Sequence, residues 1–264
     1  MDLFGWDYVG RNIDDTLHQQ FRVIVDCLSD PAFVAGRNWS NRTLQIDIAK
    51  KLGITDGQVR TCKRVFEDLR LIKRGSLGRT VPTRTLFMTE VGERVYQASC
   101  LEQKLCEISD EQKRIAAHKH IKGLYEEGYA MAMAYYYFDF GGTPPKRLHP
   151  LRATLRALSR YGSLDKWEWY LLNTDIREDD NTTMETLLDK HIKAYRNGEL
   201  TFSMNNIKSK PKAHQYLPQF FYYAGLVNLQ NGIHWRISDN GKYKEFKSEV
   251  MSDDFLSKIY RMEQ

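Results

Sequence analysis

The stretch from Thr43 to Leu69 constrains this chain most. Leu44, Ile48 and Leu52 fall at four-residue spacing, the period of one helix face, and Gly53 stops that pattern. Thr55-Asp56-Gly57-Gln58 then has the S/T-x-x-E/Q form of a capping box, in which two side chains satisfy the first free amides of a new helix. Val59, Cys62, Phe66 and Leu69 give that second helix a buried stripe. A short helix, a tight glycine turn and a second helix predict a helix-turn-helix, whose second helix enters the DNA major groove.

Charge supports the same reading. Between Lys50 and Arg84 lie ten basic residues and three acidic ones, a local +7 that exceeds the +5 of the whole 264-residue chain. A basic field on a near-neutral background suits a polyanionic partner. Gln58, Arg60, Thr61, Lys63 and Arg64 lie off the apolar stripe and are the candidate base-reading residues. Arg and Lys can donate to guanine, and Gln can pair with adenine through its amide. Lys50, Lys73, Arg74, Arg79 and Arg84 are candidate phosphate contacts, which add affinity and salt dependence rather than base choice.

The flanking segments extend the pattern. Residues 14–28 read as a helix with Leu17, Phe21, Ile24 and Leu28 on one face. Residues 71–74 and 84–88 read as two strands around the Gly- and Pro-punctuated loop GSLGRTVPT, a wing after the helix pair. Thr89 is the expected cap of a helix over 90–107, and 110–138 reads as further helix ending in Tyr135-Tyr136-Tyr137-Phe138.

Residues 139–150, with two Gly and three Pro, read as a linker between subdomains at 1–138 and 151–264. After it come a helix ending at Gly162, a helix capped by Ser163, and a helix from Thr182 or Thr183 to Arg196. An aromatic helix follows over 213–224. Asn231-Gly232 between two apolar runs predicts a hairpin of 226–229 with 233–237. Lys208, Lys210 and Lys212 are candidate phosphate contacts of this half. The expected fold is mainly α with small β-hairpin wings, two winged-helix subdomains joined by helices.

Three stretches resemble the N-terminal DNA-recognition region of AlwI-type restriction endonucleases, type IIS enzymes and their nicking relatives. They are TLFMTEVGERV at 85–95, HPLRATLRALSRYGSLDKWEWYLL at 149–172, and FFYYAGLVNL at 220–229 followed by HWRIS at 234–238. In motif order they span roughly residues 40–240. The resemblance implies recognition of an asymmetric site, with cutting by a separate C-terminal Mg2+-dependent nuclease domain. This sequence stops at 264, where that family continues into the nuclease, so the chain is expected to be a recognition part or a subunit whose partner cuts.

No nuclease centre stands out in the residues. Such a centre groups carboxylates and a lysine around a divalent ion. Glu178-Asp179-Asp180 with Asp189-Lys190, and Asp47 with Lys50, fall in loops and helices and read as solvated charge. HExxH, Walker and GxSxG patterns are absent from the sequence. Cys27, Cys62, Cys100 and Cys106 lack metal-ligand spacing and read as reduced structural thiols. No catalytic residue, metal ligand or cofactor is therefore assigned. No apolar run reaches the roughly 20 residues that a membrane helix needs, and the acidic start is unlike a signal peptide. A soluble, cytoplasmic protein that binds double-stranded DNA as a monomer is expected. Two alternatives are a dimeric winged-helix regulator, with its dimer seam at 125–138, and a winged-helix protein-interaction scaffold.

Overall fold

The computed structural model describes residues 1–6, 11–143, 146–208, 212–230 and 234–262. The chain is mainly helical, with two short antiparallel strand pairs among the described residues. It divides into two compact units, residues 10–132 and residues 1–9 with 133–264.

The unit of residues 10–132 is built on α1 (Asp15–Ser29). The Asp14 side chain accepts from Leu17 N at 2.7 Å, a helix cap that stabilises by about 1 kcal/mol. Leu17, Phe21, Ile24 and Leu28 are all buried, each contributing roughly 1.5–3 kcal/mol. The short α2 (Pro31–Val34) leads to α3 (Arg42–Leu52), which ends where Gly53 takes the left-handed conformation at φ 65°. The capping box of Thr55 and Gln58 then opens α4 (Asp56–Asp68), with both of its reciprocal hydrogen bonds formed. Val59, Cys62, Phe66 and Leu69 are fully buried. Helix α1 packs against α3, α4 and α6 (Glu90–Gln103), so the α3–α4 pair rests on a helical base.

The expected two-stranded wing over 71–74 and 84–88 is not a ladder. A single bridge joins Ile72 to Met88, and Lys73 N donates to Phe87 O at 2.7 Å. Arg84–Phe87 closes a helical turn, α5, in which Phe87 N donates back to Thr83 O. Local turn bonding therefore takes amides that a strand would have used. The intervening loop is tied down. Ser40 N donates to Gly78 O at 3.2 Å, and the Asn38 side chain donates to Arg79 O at 2.9 Å. The Thr89 hydroxyl caps α6, as expected, accepting from Gly92 N at 2.9 Å.

Helix α7 (Glu111–Tyr135) follows, and the division between the units falls within it. Tyr125, Tyr129 and Met133 are buried in the single chain, so the stretch expected as a dimer seam is interior.

In the second unit, the stretch expected as a linker forms a small hairpin. Strands β1 (Phe138–Asp139) and β2 (Arg147–Leu148) pair antiparallel, and Leu148, His149 and Pro150 are buried. The apolar Leu148 and the His149–Asp179 contact draw that segment inward. Helix α8 (Pro150–Tyr161) ends at Gly162. The next helix, α9 (Lys166–Asp175), is capped by Asp165 rather than Ser163, because the Asp165 carboxylate accepts two amides while Glu168 bonds back to Asp165 N. Helices α10 (Thr182–Arg196) and α11 (Lys212–Tyr223) precede the antiparallel pair β3 (Val227–Gln230) and β4 (His234–Ile237), with Leu229 opposite Trp235. The Asn231-Gly232 turn lies outside the described residues. Two further helices close the chain, α12 (Lys244–Met251) and α13 (Asp254–Met262).

The N-terminus belongs to this second unit. Leu3 bridges Ile207, and the Trp6 indole donates to Ile176 O at 2.7 Å and packs edge-on against Trp169. The expected subdomain 1–138 thus loses both its ends to the other unit. The sequence pattern hides this because Trp6 and Leu3 find partners roughly 170 and 200 residues away.

Candidate nucleic-acid interface

The outer face of α4 is set by its buried face. With Val59, Cys62, Val65 and Phe66 turned inward, Gln58, Arg60, Thr61 and Arg64 are left exposed, while Lys63 is only half-buried. Arg64 is 77% exposed and Arg60 52%, whereas Lys63 is 19% exposed and lies 2.8 Å from Glu67. The structure thus brings four of the five candidate reading residues onto one surface.

Three of these four make local hydrogen bonds, among them Arg60, which donates to Gln45 Oε1 at 3.2 Å. The Gln58 carbonyl oxygen accepts from Thr55 N at 2.9 Å, so two-point pairing of Gln58 with adenine requires opening the cap. The Thr61 hydroxyl donates to Gly57 O at 3.2 Å within its own helix.

Counter-ions decide how much positive charge this face retains. Asp56 holds Arg60 at 2.9 Å and Arg42 at 3.3 Å. Asp68 holds Arg74 at 2.8 Å and Arg64 at 3.7 Å, and Asp47 holds Arg37 at 2.7 Å and Lys50 at 3.6 Å. Each carboxylate serves two cations, so each cluster keeps a net positive charge. The Arg60 hydrogen bond, helped by Arg42, holds the Asp56 carboxyl below the usual carboxylate range. Arg37 and Lys50 do the same to Asp47. These carboxylates are therefore ionised at neutral pH, each beside the cations it pairs with.

The candidate phosphate contacts separate into groups. Lys50, Lys73, Arg74 and Arg79 are exposed around the α3–α4 pair and the 73–83 loop. Lys73 Nζ donates to Thr85 O at 3.1 Å, and the Glu67 carboxylate accepts Gly75 N at 2.9 Å, which anchors the loop to the end of α4. Arg84 is different. Its guanidinium makes a bidentate pair with Glu93 at 2.8–3.1 Å and sits 4.0 Å over the Tyr96 ring. It joins α5 to α6. Lys208 lies 3.7 Å from Asp2. Lys210 and the side chain of Lys212 lie outside the described residues.

Residues not anticipated from sequence also belong to these surfaces. Arg37 and Arg42 fall before the basic window but share carboxylates with it; extending the charge count upstream would have found them. On α11, Leu217, Phe220 and Phe221 are buried and leave Gln219 and Tyr222 exposed.

Three of the carboxylates weighed for a nuclease centre, Asp179, Asp180 and Asp189, are engaged by side chains of their own unit. Asp180 pairs with Arg152 at 2.7 Å and with Arg156, Asp189 accepts from Arg160 and Tyr161, and Asp179 lies 2.7 Å from His149 Nδ1. Among the described residues, no helix is long and apolar enough to cross a membrane. Comparison with protein-family models finds no match to this chain, and comparison with curated proteins finds none either.

Proposed function

We propose that this chain binds double-stranded DNA in a sequence-specific way, with α4 in the major groove and the 73–83 loop along the backbone. The observation that carries the reading is the exposed cationic face of α4. Arg60 and Arg64 project from a capped, well-packed helix, and the aspartate that pairs with each of them is shared with a second arginine. Such a face attracts phosphate non-specifically and offers guanidinium donors for guanine.

The order of elements supports a winged-helix reading of both units. In the first, α1, α3 and α4 precede the Ile72–Met88 bridge and its loop. In the second, Leu164 between α8 and α9 bridges Trp235 of β4, and α11 precedes β3 and β4. The equivalent entering helix of that unit is α11, with Gln219 and Tyr222 outward. Two unlike modules on one chain suit an asymmetric site read by a monomer, whereas a palindrome calls for a dimer. Together with the AlwI-type motifs, this favours the recognition part of a type IIS-like restriction endonuclease. Cutting, with its Mg2+, would belong to a nuclease domain or subunit.

The test is selection from a randomised duplex library, followed by salt titration of the selected duplex against scrambled DNA. One asymmetric site, bound by one chain with a steep salt slope, supports the proposal. A palindrome bound by two chains favours a dimeric regulator. No duplex preference at low salt rejects DNA reading and leaves a protein-interaction scaffold.

A further inference from the structure

His18 lies inside the unit of residues 10–132, 1% exposed, on the inner face of α1. Its ring stacks on Tyr125 at 3.9 Å between centroids.

Two carboxylates stand beside it. Asp15 precedes His18 by three residues on α1, which places both on one helix face. Glu102 comes from α6, with its Oε2 3.9 Å from His18 Nδ1. One ligand atom from each of the three residues lies within 4.8 Å of the others. A separation of 3.9 Å is longer than a hydrogen bond. Around a divalent cation with bonds of about 2.1 Å, tetrahedral ligands stand roughly 3.4 Å apart, so the three atoms need to close by up to about 1.4 Å. Asp15 is exposed and has the rotamer freedom to supply that movement.

The surroundings suit such a site. The Tyr125 hydroxyl donates to Glu102 Oε2 at 2.8 Å, the kind of outer bond that orients a ligating carboxylate. A carboxylate and a histidine at i and i+3 on one helix, facing a carboxylate from a neighbour, is how helical bundles assemble metal centres.

We propose that Asp15, His18 and Glu102 form a divalent transition-metal site that clamps α1 to α6. One nitrogen and two oxygen donors suit Zn2+ or Mn2+ better than Ca2+ or Mg2+, which favour oxygen-only sets. Because α1 carries α3 and α4, the ion braces the base of the α3–α4 pair. The site does not depend on the DNA reading.

Chelator-treated protein titrated with Zn2+ tests this by calorimetry and metal analysis, with Co2+ absorption as a spectroscopic readout. The expected result is one equivalent per chain and a melting midpoint raised by several degrees. Asp15→Asn, at an exposed position, should weaken uptake at least tenfold and leave the metal-free midpoint unchanged; Glu102→Gln should weaken it similarly. No saturable uptake by the wild type at micromolar zinc overturns the proposal. So does uptake that is unchanged in both variants, which would assign the metal to surface thiols or histidines.

Discussion

A Cβ built on Gly92 would lie 1.8 Å from the carbonyl oxygen of Leu71. The contact is with backbone, so no side chain can swing aside to relieve it. It marks where α6 presses on the chain leaving α4, beside the Thr89 hydroxyl that caps α6 and lies 2.5 Å from Arg70 O. Gly92→Ala should therefore destabilise the unit of residues 10–132 by about 3 kcal/mol or more, despite alanine's better helix propensity. Chemical denaturation followed by circular dichroism checks this. A variant as stable as the wild type would mean that α6 does not approach Leu71 this closely.

Arg84 separates structure from binding in another way. As a phosphate contact, its loss would lower the salt slope of DNA binding by about one unit. As the bidentate partner of Glu93 stacked on Tyr96, its loss should instead lower stability by about 1 kcal/mol, a modest figure because the pair is partly solvated. Arg84→Gln is expected to melt a few degrees lower and keep the wild-type salt slope. Parallel melting and anisotropy titrations distinguish the two roles.

The difference between those roles shows what was legible in the residues alone. The Thr55–Gln58 capping box, the Val59–Leu69 stripe and the Gly53 stop are local, so spacing reveals them and the structure contains each one. The basic bias around α4 was equally visible. The Arg84–Glu93 pair was not, because Arg84-Thr85-Leu86-Phe87 has the composition of a strand and becomes helical only through bonding to Thr83 O. Asp165 was passed over for Ser163 because the two lie close together and only the fold decides which carboxylate or hydroxyl meets the free amides. His18 carries no signal of its own in the sequence, since Glu102, 3.9 Å from it, lies 84 residues further along the chain.

The cysteines offer a pH-dependent test of the same packing. Burial pushes the Cys62 and Cys27 thiols above their ordinary value of 9.0. Their folded pKa exceeds the unfolded one, so their contribution to stability is complete below about pH 9 and declines as pH rises toward the folded value. At pH 8 a thiol reagent should modify the exposed Cys106 rapidly, with Cys27 and Cys62 reacting only as the protein unfolds. Four thiols modified at one fast rate would contradict the packing around Cys62.

Arg64 and Lys50 are both strongly exposed, so neither substitution should affect folding, yet they should affect binding differently. Arg64 projects from the middle of α4, where side chains of an entering helix meet base edges. Lys50 sits at the end of α3, opposite Asp47, where it can meet only phosphate if α4 enters the groove. Arg64→Ala should cost about 1–3 kcal/mol on the selected duplex, roughly tenfold to a hundredfold in affinity, and relax the preference at one base pair. Lys50→Ala should weaken selected and scrambled duplexes alike and lower the salt slope by about one unit. Anisotropy titrations of both variants against both duplexes, at several salt concentrations, make the comparison. If Arg64→Ala behaved as Lys50→Ala does, α4 would be a backbone-contacting helix and the base reading would have to come from another element, with α11 and its exposed Gln219 and Tyr222 the next to mutate.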